Sequence, residues 1–163
     1  MVSVFVSVAS NYQTQVNIGS AIGLIGDQFG ELRISNAYRN QSINAGEADY
    51  VNLVVGFDTE WVAEDVVKRL KAIERDVGRC LKSKQLQQIT IDLDLIIYGD
   101  YRGVVDDHQI PAPNISSQSF ILGPLAELAG TKVDSHSGVC YQNLWHHFDK
   151  SRHPLEKIQL NLR

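Results

Sequence analysis

The chain has only two cysteines, Cys80 and Cys140, and they lie far apart in sequence. That is too few for a disulfide framework or a zinc site. It has no basic excess, since 15 Lys and Arg against 19 Asp and Glu leave a formal net charge of −4. Nothing in that balance points to a nucleic-acid partner. No apolar run approaches the roughly 20 residues that span a bilayer, so no membrane partner is expected. The opening stretch Met1–Val8 alternates like a strand and lacks the charged start of a secretory signal, which makes the cytoplasm the expected compartment. Repeats and low-complexity segments are also missing. What remains is an ordinary globular composition, 44% hydrophobic and 21% charged. Residues 1–163 are enough for one domain with a proper core.

The most informative stretch runs from Ile89 to Asp100. It is rich in Ile and Leu, and Gly99-Asp100 closes it with a turn signal. Alternation along a strand puts Ile91, Leu93, Leu95 and Ile97 on one face, toward a core. Asp92 and Asp94 then share the other face with Thr90, Ile96 and Tyr98, their Cα atoms about 6–7 Å apart. Two neighbouring carboxylates on a rigid strand repel each other unless a positive charge sits near them. Mg²⁺ is a natural candidate, being hard and held by one or two carboxylates plus substrate phosphates. A water-facing strand that happens to carry two acids is the bland alternative.

Around it the chain reads in order. Val2–Val8 is a strand. A helix follows from about Gln13 to Asp27, weakened by Gly19 and Gly23; a small-residue helix of this kind can lie close against a sheet. Phe29–Arg39 is a second strand, Asn40–Glu47 a polar loop, and Asp49–Asp58 a third strand. Asn52 sits in that strand between apolar neighbours, either satisfied structurally or reading a ligand edge. Asp58-Thr59-Glu60 looks like a helix start. Val62, Val66, Leu70, Ile73 and Val77 then recur at helical spacing up to Gly78. The polar face of this helix carries Lys68, Arg69, Lys71, Glu74 and Arg75, followed by Arg79, Lys82 and Lys84. These charges form either a solvated face or an electropositive rim beside the aspartates. Tyr101–Gln109 is hairpin-like. Ser116–Ala129 reads as a short helix, a break near Pro124 and another turn. Tyr141–Phe148 is a last helix whose adjacent His146 and His147 make no i, i+4 metal pair. The tail from Ser151 is frayed, a partner contact or an edge strand. The order strand, helix, strand, strand, helix, strand is the split βαβ pattern. The expected fold is α+β: a ferredoxin-like βαββαβ core with a mainly antiparallel sheet, two helices on one face, and C-terminal helices elsewhere.

Several segments together resemble the 6-hydroxymethyl-7,8-dihydropterin pyrophosphokinase family. They are Ala9-Ser10-Asn11, Asp49-Tyr50-Val51-Asn52, Glu74 with Gly78-Arg79, Thr90-Ile91-Asp92-Leu93-Asp94, Tyr98-Gly99, Ile110-Pro111 and Phe120-Ile121-Leu122-Gly123-Pro124-Leu125. The match runs in order to about Leu128. The resemblance implies an ATP-dependent transferase of folate biosynthesis, moving a pyrophosphoryl group from ATP to the pterin hydroxymethyl group. It implies that Asp92 and Asp94 hold two Mg²⁺ ions when ATP is bound, with Lys82 beside them in catalysis. It implies that Tyr50, Asn52 and Phe120 hold the pterin, and that Glu74 and Arg79 contact the nucleotide.

The phosphate side departs from the family pattern. Gln87-Gln88-Ile89-Thr90 stands where the family has Gly-Pro-Arg-Thr, so Ile89 replaces an arginine. Leu81 and Leu86 stand where the preceding loop carries an arginine and a tryptophan. Ala112 replaces a histidine, and Gln118 an arginine. Lys82, Lys84, Arg102 and His108 are the cations that could substitute. The alternative reading is a non-catalytic pterin-binding or interaction module that has lost its ATP phosphate contacts.

Overall fold

The computed structural model describes residues 1–162. Its main sheet contains β1 (Val2–Ser10), β2 (Arg33–Ile34), β3 (Ala37–Asn40), β4 (Tyr50–Thr59), β5 (Asp92–Tyr98) and a C-terminal β8 (Glu156–Ile158). The order across the sheet is β5-β1-β4-β3-β8, with β2 also against β4, and every pairing is antiparallel. The helices α1 (Thr14–Phe29) and α2 (Ala63–Val77) make the two crossovers. This is the expected split βαβ arrangement in an α+β fold. The tail realises its edge-strand option, since β8 pairs with β3.

Both sheet faces are covered. On one side Val4, Val6, Val8, Leu53, Val55, Phe57, Leu93 and Leu95 pack under the apolar stripes of α1 and α2. On the other, Phe5, Val54, Ile96 and Ile97 meet α4 (Ser119–Ala129) and α5 (Tyr141–His147). A small hairpin of β6 (Gly103–Val105) and β7 (His108–Ile110) packs against β5 and α2, with Val105 and Ile110 in the core on the α1–α2 side. Glu127 ties α4 to the sheet by accepting from the Asn36 backbone at 2.8 Å and from the Tyr38 hydroxyl.

Several expectations are corrected. Ile97 does not share the face of Leu93 and Leu95. Val6 pairs with Leu95 but Phe5 pairs with Ile97, so Ile96 is an extra residue that turns the rest of β5 over. The second strand does not start at Phe29, which ends α1, and it breaks around Ser35. Between Ile34↔Val55 and Tyr38↔Asn52 one additional residue enters, and the Ser35 hydroxyl accepts the Val54 N–H at 2.9 Å. Helix α2 begins at Ala63 rather than Glu60 because β4 runs on through Thr59 to pair with Val2. Thr59 caps a turn there, accepting the Trp61 N–H at 3.1 Å. Pro124 causes no break in α4. Gly19 and Gly23 have open space around them, so the sheet-facing side of α1 is made by Ile18, Ala21, Ile22 and Ile25. A five-residue helix, α3 (Leu81–Gln85), was not anticipated.

Ile97 is 1% exposed beneath α4. Ile97→Ala is expected to lower the unfolding free energy by about 2–5 kcal/mol in urea titration. A loss under about 0.5 kcal/mol, the size of a surface change, would contradict this placement.

Candidate active site

The functional candidates gather on the face of the sheet that carries α4, at the end where β1 finishes and β5 begins. Register explains the grouping. Asn52 on β4 and Asp92 on β5 both pair with Ala9 of β1, while Tyr38 pairs with Asn52 from the other side. Cross-strand partners share a face. Asn52 and Asp92 therefore flank the small Ala9 side chain, two strand spacings or about 10 Å apart. That leaves a flat floor between an amide and a carboxylate. Asp94 lies one step further along, opposite Ser7. A pocket of about 210 Å³ opens here, lined by Asn40, Ser42, Ile43, Asn44, Tyr50, Asp92, Gln118 and Phe120. The 40–47 loop and the first turn of α4 thus close over the sheet.

The polar groups of the pocket are largely oriented by protein partners. Asn52 is 2% exposed and donates to the Asn40 side-chain oxygen. The Tyr50 hydroxyl donates to Glu47 at 3.3 Å. Burial, then the Glu47 charge, pushes the Tyr50 phenol up to about 12, so it stays a neutral donor. Ser42 and Asn44 hold the same Glu47 carboxylate and lower its pKa, the Ser42 hydrogen bond most of all.

The cations beside the aspartates come from α2 and the turn that follows it. Strand β5 is a sheet edge, so its outward backbone groups need partners. The buried Glu74 carboxylate accepts the Leu93 N–H at 2.7 Å. Lys71 lies 3.1 Å from Glu74, 3.4 Å from the Leu93 carbonyl and 3.7 Å from Asp94. Arg79 lies 2.8 Å from Asp92, 3.1 Å from Glu74 and 3.3 Å from the Ile91 carbonyl. Three carboxylates thus meet two cations. Each aspartate uses only its Oδ1 in these pairs.

Among the described residues no three His, Cys, Asp or Glu side chains cluster as a metal cage. Two strand carboxylates, each with one oxygen outside the ion pairs, suit a hard cation that takes most of its ligands from water and phosphate. The residues present therefore fit Mg²⁺ bound together with a phosphate ligand.

The remaining cation candidates do not line the pocket. Lys82 and Lys84 are exposed on α3 and make no ion pair among the described residues. Arg102 lines a separate small cleft with Asp100 and Lys132. His108 on β7 bonds the Asp106 carbonyl through Nδ1 at 2.8 Å and is near enough to Asp94 to favour its ionised form. The backbone of Ile89 is held by Asn11, whose Oδ1 accepts the Ile89 N–H at 2.7 Å and whose own N–H donates to the Ile89 carbonyl at 3.0 Å. The Ser10-Asn11 pair thus fastens the approach to β5. Lys71 is the residue that sequence reasoning left undistinguished on a charged helix face. Its spacing of one turn from Glu74 was the available signal.

Asp94 titrates unusually high, at about 6, because burial and then the neighbouring Asp92 charge disfavour its ionised form, with Lys71 opposing. An unfolded aspartate ionises near about 3.9. Ionising Asp94 therefore costs the folded state more than the unfolded one. That cost is nil below pH 4, grows between pH 4 and 6, and is complete above pH 6. Asp94→Asn is expected to flatten this part of the stability–pH profile in metal-free buffer, read by thermal melts from pH 4 to 8. An unchanged slope would contradict the assignment.

Residues 5–130 match the family 7,8-dihydro-6-hydroxymethylpterin-pyrophosphokinase. The 2-amino-4-hydroxy-6-hydroxymethyldihydropteridine pyrophosphokinase of Synechocystis sp. is 35% identical over 106 residues, covering 65% of this chain and 54% of that protein. The enzyme of the same name from Haemophilus influenzae is 26% identical over 144 residues, covering 85% and 89%. The mitochondrial folate synthesis bifunctional protein of Pisum sativum is 31% identical over 99 residues, covering 61% and 18%. The chain thus spans about half the length of the Synechocystis relative and less of the plant one. With most of its length inside the family match, the chain belongs to the 7,8-dihydro-6-hydroxymethylpterin-pyrophosphokinase family.

Proposed function

We propose that residues 1–163 act as one pyrophosphokinase domain that transfers the terminal pyrophosphoryl group of ATP to the hydroxymethyl group of a dihydropterin. The observation that carries this reading is the row Asn52–Ala9–Asp92, with Tyr50 and Phe120 beside the same pocket. A flat heterocycle lying over Ala9 would have its polar edge toward Asn52 and its substituent toward the aspartates. Tyr50 and Phe120 supply aromatic surface for the ring, and the Asn52 amide offers a hydrogen bond to its edge.

Asp92 and Asp94 would hold Mg²⁺, two ions when ATP is bound. Metal there would align the phosphates and neutralise charge during an in-line displacement. Arg79 and the exposed Lys82 would face the polyphosphate from the α2–α3 side. Glu74 serves this side indirectly by holding Lys71 and Arg79 at the strand edge. The cytoplasm is the proposed compartment, and no helix among the described residues is long and apolar enough to cross a membrane.

A second reading has its own support. Ile89, Leu81, Ala112 and Gln118 bring no charge where the family pattern has arginine or histidine. Charged clamps on transferring groups commonly contribute about 3–4 kcal/mol each. A non-catalytic pterin-binding module would keep the Asn52–Tyr50–Phe120 half and lose nucleotide binding. Ligand protection separates the two readings. Under the enzyme reading, ATP with Mg²⁺ raises the melting temperature of the native chain and Asp94→Ala abolishes that shift. Protection by the pterin alone would favour the binding module.

A further inference from the structure

The two cations at the carboxylate pair are held in different ways. Arg79 reaches Asp92 at 2.8 Å and also meets Glu74 and the Ile91 carbonyl. Lys71 also meets Glu74, at 3.1 Å, and a strand carbonyl, that of Leu93, at 3.4 Å, but it lies 3.7 Å from its aspartate, Asp94. About a third of its side chain is exposed. An ammonium on a flexible four-carbon stem is a point charge with no fixed fork. Lys71 is therefore the more loosely held of the two cations. Its departure frees the Leu93 carbonyl, while Glu74 keeps the Leu93 N–H. Among the described residues Lys71 is the only ion-pair partner of Asp94.

A divalent ion approaching Asp94 meets this resident charge. Three carboxylates against two cations leave only one negative charge in excess, which is little to hold a free divalent ion. A polyphosphate changes that balance by bringing negative charge of its own and a new partner for the ammonium. We propose that Lys71 competes with divalent metal for Asp94 in the ligand-free protein and passes to the polyphosphate when metal and nucleotide bind together. Lys71 thereby couples metal occupancy to nucleotide occupancy. It also brings a cation to a cleft in which Ile89 stands at the family's arginine position. The second half of the proposal rests on the nucleotide site inferred above, while the competition for Asp94 does not.

Mn²⁺ binding followed by electron paramagnetic resonance tests it on the full chain. Lys71→Met keeps the stem and removes the charge, and Lys71→Arg keeps the charge. Lys71→Met is expected to bind free Mn²⁺ about tenfold more tightly than the native protein, the equivalent of one small coupling free energy. A non-hydrolysable ATP analogue is expected to strengthen Mn²⁺ binding in the native protein and in Lys71→Arg, and to do so much less in Lys71→Met. Melting curves confirm that each variant is folded. Equal free-Mn²⁺ affinity in the native protein and Lys71→Met would overturn the competition and with it the coupling. A native protein that binds no nucleotide, while Lys71→Met still gains Mn²⁺ affinity, would overturn the hand-over and the pyrophosphokinase reading and uphold the competition.

Discussion

Strand β5 is a sheet edge, and the way that edge is sealed determines the site. An edge strand exposes unpaired N–H and C=O groups. Here the buried Glu74 carboxylate takes the Leu93 N–H, and this contact fixes the distance between α2 and the strand. With Glu74 in place, Lys71 and Arg79 reach the outward carbonyls of Leu93 and Ile91 and continue to Asp94 and Asp92. One buried carboxylate thus organises both the strand edge and the charge around the pair. The aspartates are positioned by a rigid element, and their repulsion is offset by side chains that themselves satisfy backbone groups. Loss of Glu74 would leave the Leu93 N–H without its partner and two cations without their anchor, a situation more costly than losing one ion pair.

The rest of the cleft follows from small residues and register. Ala9 lies between Asn52 and Asp92 and leaves the floor low. The Ser10-Asn11 turn binds the backbone from Gln87 to Thr90 and fixes where β5 begins. From the other side, α4 is tied to β3 through Glu127, which sets Phe120 over the floor. The half of the cleft around Asn52, Tyr50 and Phe120 is therefore built by several independent anchors. The half around Asp92 and Asp94 is more open, with Lys82 and Lys84 exposed on α3.

Much of this was legible in the sequence. The alternation in β5 placed Asp92 and Asp94 on one face, and the order of elements predicted the split βαβ topology. Other features carried no local signal. Ile96 and Ile97 are both apolar, so nothing in a period-2 pattern marked the bulge that sends Ile97 under α4. Asp58 and Thr59 suit a helix cap as well as a strand end, and only their pairing with Ser3 and Val2 decides between them. Lys71 looked like one charge among several on a helix face. Its distinction comes from the tertiary contact of α2 with the edge of β5. Asn52 was readable as a polar residue in an apolar strand, but the pocket before it depends on Ala9 on the neighbouring strand and on a helix far along the chain.

The most direct test is release of AMP by the purified native chain supplied with ATP, Mg²⁺ and 6-hydroxymethyl-7,8-dihydropterin. The account predicts AMP formation that requires both the pterin and the metal and that is lost in Asp94→Ala. Absence of AMP under conditions where the pterin demonstrably binds would contradict it, and would mean that the fold retains recognition without group transfer.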